Sequence, residues 1–248
     1  MWLLLTALGL SVLGSLGSLA VASLLLLLGP SSRQRLIPHL VSYAVGTLLG
    51  VALLAVIPEI LEELPASRAL GAVLVGILLF FVLEKLVLWR HCHSQNCEVH
   101  TRPVALVLIG HGFHAFVDGA VIGAAVQTSI PLGLSIAMAV AIHEIPQQVG
   151  DYAILLAAGY SRARALLLSI LSAASAVVGA LIAFVAVDTT PGLLPYALAI
   201  AAASFLYIAM ADLIPDLHKG HVDARSLRQV ALIVLGTLTA LLISGHEH

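Results

Sequence analysis

Charge is what this chain has least of. Only 10% of its 248 residues are Asp, Glu, Lys or Arg, while 60% are apolar. A water-soluble domain of this size needs far more charge to cover its surface, so a soluble globular fold is excluded. Aromatic residues are also scarce, at 5%; the Leu, Ala, Val and Gly that replace them suit helices packed closely in lipid. Cysteine is nearly missing: Cys92 and Cys97 share one short loop, which excludes a disulfide framework. No Walker-type phosphate loop is present, so no ATP-driven step is expected. No basic tract or recognition motif for nucleic acid is present either. The apolar stretch 1–28 has no Lys or Arg before it and no small-residue cleavage pattern after it. It reads as a retained spanning helix rather than a signal peptide.

What is there is a series of apolar runs. About 20 residues cross a hydrocarbon core of about 30 Å, and eight such runs can be counted, at roughly 2–28, 36–63, 68–89, 103–126, 132–159, 164–187, 192–216 and 226–244. The expectation is a single all-α integral membrane domain of eight transmembrane helices over 1–248, with the bilayer as its partner. Basic residues set the orientation, because inner loops collect Lys and Arg. Of the eleven Lys and Arg residues only Arg68 falls outside when the N-terminus is placed outside. Arg33, Arg35, Lys85, Arg90, Arg102, Arg162, Arg164, Lys219, Arg225 and Arg228 then share the inner side, and both termini are extracytoplasmic. A multi-pass protein of the plasma or inner membrane is expected.

The second run ends in Val56-Ile57-Pro58-Glu59 and the seventh in Leu213-Ile214-Pro215-Asp216. Those two ends face opposite sides of the membrane. The echo suggests an inverted repeat, helices 1–3 against helices 6–8, around helices 4 and 5. Such repeats with helix-breaking residues are a transporter pattern, with the substrate near the midplane.

Helices 4 and 5 hold what hydrocarbon rejects: His111, His114, Asp118, His143, Glu144 and Asp151. Ionisable groups at membrane depth mark a functional site. Residues four apart share a helix face, so His114 pairs with Asp118, and His143, Gln147 and Asp151 form a ladder. His114 lies eleven residues past Pro103 and His143 eleven past Leu132, each about 16 Å into its helix at 1.5 Å per residue. The short Gln127–Pro131 connection makes the two helices antiparallel neighbours. Imidazole with carboxylate and amide oxygen suits a borderline divalent ion such as Zn²⁺, Fe²⁺ or Mn²⁺. Pro146 lacks an N–H and frees the Ile142 carbonyl one turn back. Gly119 and Gly123 permit close packing beside the site.

In these two segments the chain resembles the ZIP family of divalent metal transporters. Its nearest branch has a fourth helix reading HNFxDGLAIGAA and a fifth reading HEIPHELGDFA. Here they read His114-Ala115-Phe116-Val117-Asp118-Gly119-Ala120-Val121-Ile122-Gly123-Ala124-Ala125 and His143-Glu144-Ile145-Pro146-Gln147-Gln148-Val149-Gly150-Asp151-Tyr152-Ala153. Weaker agreement covers residues 80–85 and 205–212. The resemblance implies one metal position from His114, Asp118, His143 and Gln147, and a second from the positions of Ala115, Asp118, Glu144 and Gln147. Ala115 stands where the family usually has Asn, and Gln147 where it has His or Glu, so the second position is expected to be weak or missing. His111 replaces an acidic residue of the pattern and could supply a compensating ligand. Val51 and Ala55 occupy places where many relatives carry Asp and His. Ser169, Ser172 and Ser175 are the hydroxyls that helix 6 can offer.

The expected function is transport of divalent cations toward the cytoplasm. Zn²⁺ is the first choice of cargo, with Fe²⁺, Mn²⁺ and Cd²⁺ as alternatives, and no prosthetic group is expected. The competing reading is an intramembrane zinc hydrolase with Glu144 as general base; His143-Glu144 starts such a motif, but Gln147 stands where it needs a second His. Residues 90–102, with His91, Cys92, His93, Cys97 and His100, read as a cytosolic metal-capturing loop. His218 and His221 could receive exiting ions. Gly9, Gly14 and Gly17 leave room for close packing of helix 1, and a homodimer is one assembly this would allow.

Overall fold

A computed structural model describes residues 1–89, 104–217 and 224–244. Among them are eight helices long and apolar enough to cross a membrane: α1 (Trp2–Leu25), α2 (Gln34–Glu63), α3 (Ala66–Leu83), α4 (Leu108–Thr128), α5 (Ile130–Leu156), α6 (Arg162–Thr189), α7 (Leu194–Leu213) and α8 (Ser226–Ile243). No strand occurs among the described residues. The outer face of α3 carries Leu70, Leu74, Leu78 and Phe81, all exposed. A three- to four-residue apolar stripe of this kind turned outward is stable against lipid, not water. The chain is a multi-pass membrane protein. The loop at 90–102 and the histidines His218, His221, His246 and His248 lie outside the described residues.

Helix ends follow local chemistry. Gly29-Pro30-Ser31 follows the end of α1 at Leu25 and opens the helix that becomes α2, ahead of the start near 36 expected for the second run. Gly29 is its extended N-cap and Pro30 its first residue, a position where the missing N–H has no intrahelical partner to lose. A single residue, Ser129, separates α4 from α5, and its hydroxyl accepts from the Leu132 N–H at 3.2 Å, satisfying one of the orphan donors of the new helix. At the other end of α5, Gly159 has φ +86°. The Tyr160 N–H reaches Leu155 O and the Gly159 N–H reaches Leu156 O, a left-handed cap that glycine adopts without strain.

Three helices contain a π-helical turn: Leu13–Gly17 in α1, Ala52–Val56 in α2 and Ile208–Leu213 in α7. The last two come immediately before Ile57-Pro58-Glu59 and Ile214-Pro215-Asp216. A proline leaves the carbonyl one turn earlier without its donor, and a widened turn accommodates that.

Helix α4 packs on α1, α5, α6 and α7, and α5 packs on α1, α2, α4, α6 and α8; α2 also packs on α8, and α3 on α7. The contacts α2–α8 and α7–α3 exchange when α1 is swapped with α6, α2 with α7, α3 with α8 and α4 with α5. So do α2–α5 and α7–α4, and α1–α4 and α6–α5. Backbones meet closely at glycine. A Cβ on Gly119 would fall 1.8 Å from Ala176 O, and one on Gly179 would fall 2.0 Å from Phe116 O. The small residues expected to bring a neighbour against α4 therefore do so, with α6 as that neighbour.

Candidate metal centre

Three donors from α4 and α5 converge at the centre of the bundle. His114 Nε2 is 3.1 Å from His143 Nε2 and 3.5 Å from Asp118 Oδ2, and His143 Nε2 is 3.3 Å from the same oxygen. Ligands bound at about 2.0–2.1 Å around a tetrahedral Zn²⁺ lie about 3.3 Å from one another. The triangle therefore already has the edge lengths of one tetrahedral face. Asp118 and His143 are buried, while the His114 side chain keeps 21% exposure, so the triangle is open on one side. These three form the one group of His, Cys, Asp and Glu among the described residues whose ligand atoms lie close enough to share an ion.

Hydrogen bonding prepares these donors. His143 Nδ1 lies 2.9 Å from Ala139 O, so the ring proton belongs on Nδ1 and the lone pair of Nε2 faces the triangle. Neither Asp118 oxygen has an aligned hydrogen-bond donor among the described residues, although both are buried. Leaving a buried carboxylate so poorly served is costly. Two imidazole nitrogens and a bare carboxylate are stabilised together by a cation of N/O preference.

Glu144, one position from His143, turns to the other side of α5. Its Oε2 accepts from Gln148 Nε2 at 2.5 Å and lies 3.2 Å from Ser18 Oγ and 3.4 Å from Ser15 Oγ. Ser15 belongs to the π-helical turn of α1, and its carbonyl accepts from Gln148 Nε2 at 3.2 Å. A metal-hydrolase base must face the metal-held water, and Glu144 instead points into this α1–α5 network. Ser15, Ser18 and Gln148 form a buried polar cluster that was not expected as such. Its signal was present: Gln148 is one turn past Glu144, and Ser11, Ser15 and Ser18 interrupt an apolar run at helical spacing.

The remaining expected residues form a third group. His111 Nδ1 lies 3.1 Å from Asp151 Oδ2 and 3.3 Å from Gln147 Nε2. Gln147 thus reaches toward His111 rather than into the triangle. Ala115, Val51 and Ala55 offer no ligand; Ala115 and Val51 are fully buried. On α6, Ser172 Oγ donates to Leu108 O at 2.8 Å and Ser175 Oγ to Gly112 O at 2.5 Å, so these hydroxyls serve carbonyls of the α4 helix. Gly14 of α1 packs within the chain, 3.4 Å from Ala137 O for a Cβ built there.

Spanning helices built around a buried N/O donor triangle define a class: a polytopic membrane protein with a candidate intramembrane cation site. Comparison with known proteins narrows it. A family model described as ZIP zinc transporter matches residues 90–244, and the chain belongs to that family. It is 33% identical over 227 residues to zinc transporter ZIP13 of Pongo abelii, covering 83% of this chain and 66% of that protein. It is 36% identical over 147 residues to zinc transporter ZIP10 of Homo sapiens, covering 54% and 18%. With zinc transporter foi of Drosophila melanogaster it shares 35% identity over 159 residues, covering 60% and 22%. The chain thus spans just under two thirds of one of these relatives and less than a quarter of the other two.

Proposed function

We propose that this chain moves Zn²⁺ across the membrane toward the cytoplasm, through an intramembrane site made by His114, Asp118 and His143. The observation that carries this reading is the triangle of donors with edges of 3.1, 3.3 and 3.5 Å, which includes a carboxylate with no aligned hydrogen-bond donor among the described residues. The relatives' names as zinc transporters support the choice of ion; Fe²⁺, Mn²⁺ and Cd²⁺ share the same ligand preferences and are the alternatives to be competed against it. Both termini lie outside in this reading, on the distribution of Lys and Arg, and the membrane is taken as the plasma or inner membrane. The repeated π-turn-Ile-Pro-acid ends of α2 and α7 and the exchanging contacts support an inverted repeat of helices 1–3 and 6–8 around α4 and α5, a frame in which such a site is opened to alternate sides.

One tightly held ion per protomer is expected, since Ala115 removes a ligand and Glu144 is engaged with α1. The test is Zn²⁺ uptake into proteoliposomes by wild type and His143→Ala, with the other cations as competitors. Uptake by wild type and loss in the variant are expected. Folded wild-type protein with no metal-dependent flux would overturn the reading, and two tight intramembrane ions on titration would overturn the single-ion site.

A further inference from the structure

We propose that a second, weaker position for the divalent cation lies one helical turn from the triangle, with His111 Nε2 as its principal ligand and Asp151 as the carboxylate that orients His111. The proposal rests on the cation-carrying reading above and adds a step on the path out of the triangle. His111 is one turn before His114 on the α4 helix, and Asp151 is two turns after His143 on α5. Because the helices are antiparallel, both displacements run toward the membrane face that carries Arg162 and Arg164.

His111 is 5% exposed, and its Nε2 is buried without a hydrogen-bond partner among the described residues. An unpaired buried nitrogen is unfavourable, and it persists where something else takes the lone pair. Its other nitrogen, Nδ1, lies 3.1 Å from Asp151 Oδ2. The contact is an ion-pair distance without an aligned hydrogen bond; a carboxylate this close to one imidazole nitrogen favours the proton there and leaves the lone pair on the far nitrogen, the arrangement that supports metal-bound histidines. Asp151 is then a positioning residue, not a ligand. Gln147 sits four residues from both His143 and Asp151 on one face of α5, and its amide nitrogen lies 3.3 Å from His111 Nδ1. The amide can present either atom to this space; with its oxygen turned inward it joins Asp151 in holding the Nδ1 proton, on the side of the ring away from Nε2, and is not itself a ligand. A single imidazole holds an ion more loosely than the triangle does. A cation in transit needs such successive, weaker sites if it is to leave.

The test compares wild type, His111→Ala, Asp151→Asn and the double variant in two assays: equilibrium Zn²⁺ binding to detergent-purified protein, and Zn²⁺ uptake into proteoliposomes. For His111→Ala, tight binding is expected to stay within about threefold while maximal flux falls about tenfold or more, a loss in kcat rather than in ground-state affinity. Asp151→Asn is expected to lower flux in wild type, within the about 10–100-fold range of outer-shell partners, and to have no further effect in His111→Ala. If Asp151→Asn were as damaging in His111→Ala as in wild type, or if His111→Ala kept wild-type flux, the proposal would fall. Should His111→Ala not fold, His111→Gln keeps a donor toward Asp151 and serves the same comparison. If wild-type vesicles take up no Zn²⁺, the transport reading fails, but the position is still testable with Co²⁺ in detergent. A second, weaker Co²⁺ per protomer, visible by absorption and lost in the His111 variant, supports it; a second Co²⁺ unaffected by that substitution, or no second Co²⁺, overturns it.

Discussion

Asp118 and Glu144 are both fully buried carboxylates near the middle of the same bundle, and their surroundings differ in kind. Asp118 faces two imidazole nitrogens and has no aligned donor on either oxygen among the described residues. Glu144 has an amide N–H at 2.5 Å and two serine hydroxyls within 3.4 Å of Oε2, while its Oε1 is buried without a hydrogen-bond partner among the described residues. In the proposed reading the first carboxylate is completed by a cation, whereas the second has one oxygen already engaged by protein. Composition of the helix does not decide between these outcomes; the neighbouring helix does. Asp118 looks across to His143 on α5, while Glu144 looks to the widened turn of α1, where Ser15 and its carbonyl are turned inward.

The sharpest way to break this contrast is to make the same isosteric change on both residues. Asp118→Asn removes the only carboxylate of the triangle. Zn²⁺ affinity should drop by more than about 100-fold, beyond what loss of an outer-shell partner costs, while thermal stability of the metal-free protein in detergent holds or rises because a buried charge with no aligned hydrogen-bond donor among the described residues has gone. Retained wild-type affinity in Asp118→Asn, read by titration calorimetry, would remove Asp118 from the site.

Glu144→Gln should do the reverse. The charge-assisted hydrogen bond from Gln148 becomes a neutral one, roughly half as strong, so stability should fall by about 1 kcal/mol. Tight Zn²⁺ binding should change by no more than about threefold. A loss of affinity comparable with that of Asp118→Asn would mean that Glu144 turns toward the ion in the loaded state, and the distinction between the two carboxylates would dissolve.

Much of this was readable beforehand. Eight spans follow from apolar run length alone, because a bilayer imposes one length on every helix. The pairing of His114 with Asp118 follows from helical spacing, and the meeting of α4 with α5 from a connection too short to permit any other neighbour. What could not be read was direction around the helix axis at adjacent positions. His143 and Glu144 are about 100° apart on α5, and only the packing of α1 against one face and α4 against the other assigns them different partners. The π-helical turn at Leu13–Gly17 was equally hidden, since no proline announces it, and it is that turn which places Ser15 beside Glu144. Gln147 and Asp151 share the face of His143, so spacing grouped them correctly, but the reach of each side chain toward His111 depends on where α4 lies.

The smallest expected effect tests whether the Glu144 cluster is a distributed network or depends on one bond. Ser18 Oγ lies 3.2 Å from Glu144 Oε2 but only 2.6 Å from Ser15 O, and a hydroxyl has one hydrogen to give. Its bond is therefore directed mainly at the backbone of the π-helical turn, with the carboxylate a weaker alternative. Ser18→Ala should lower the unfolding free energy by about 0.5–1 kcal/mol, less than Glu144→Gln, and leave Zn²⁺ affinity and flux at wild-type values. The strongest donor to Glu144, Gln148, remains in that variant. A larger destabilisation from Ser18→Ala than from Glu144→Gln would show that the serine holds the widened turn of α1 itself. The engagement of Glu144 Oε2 would then be a consequence of that turn rather than the reason for it.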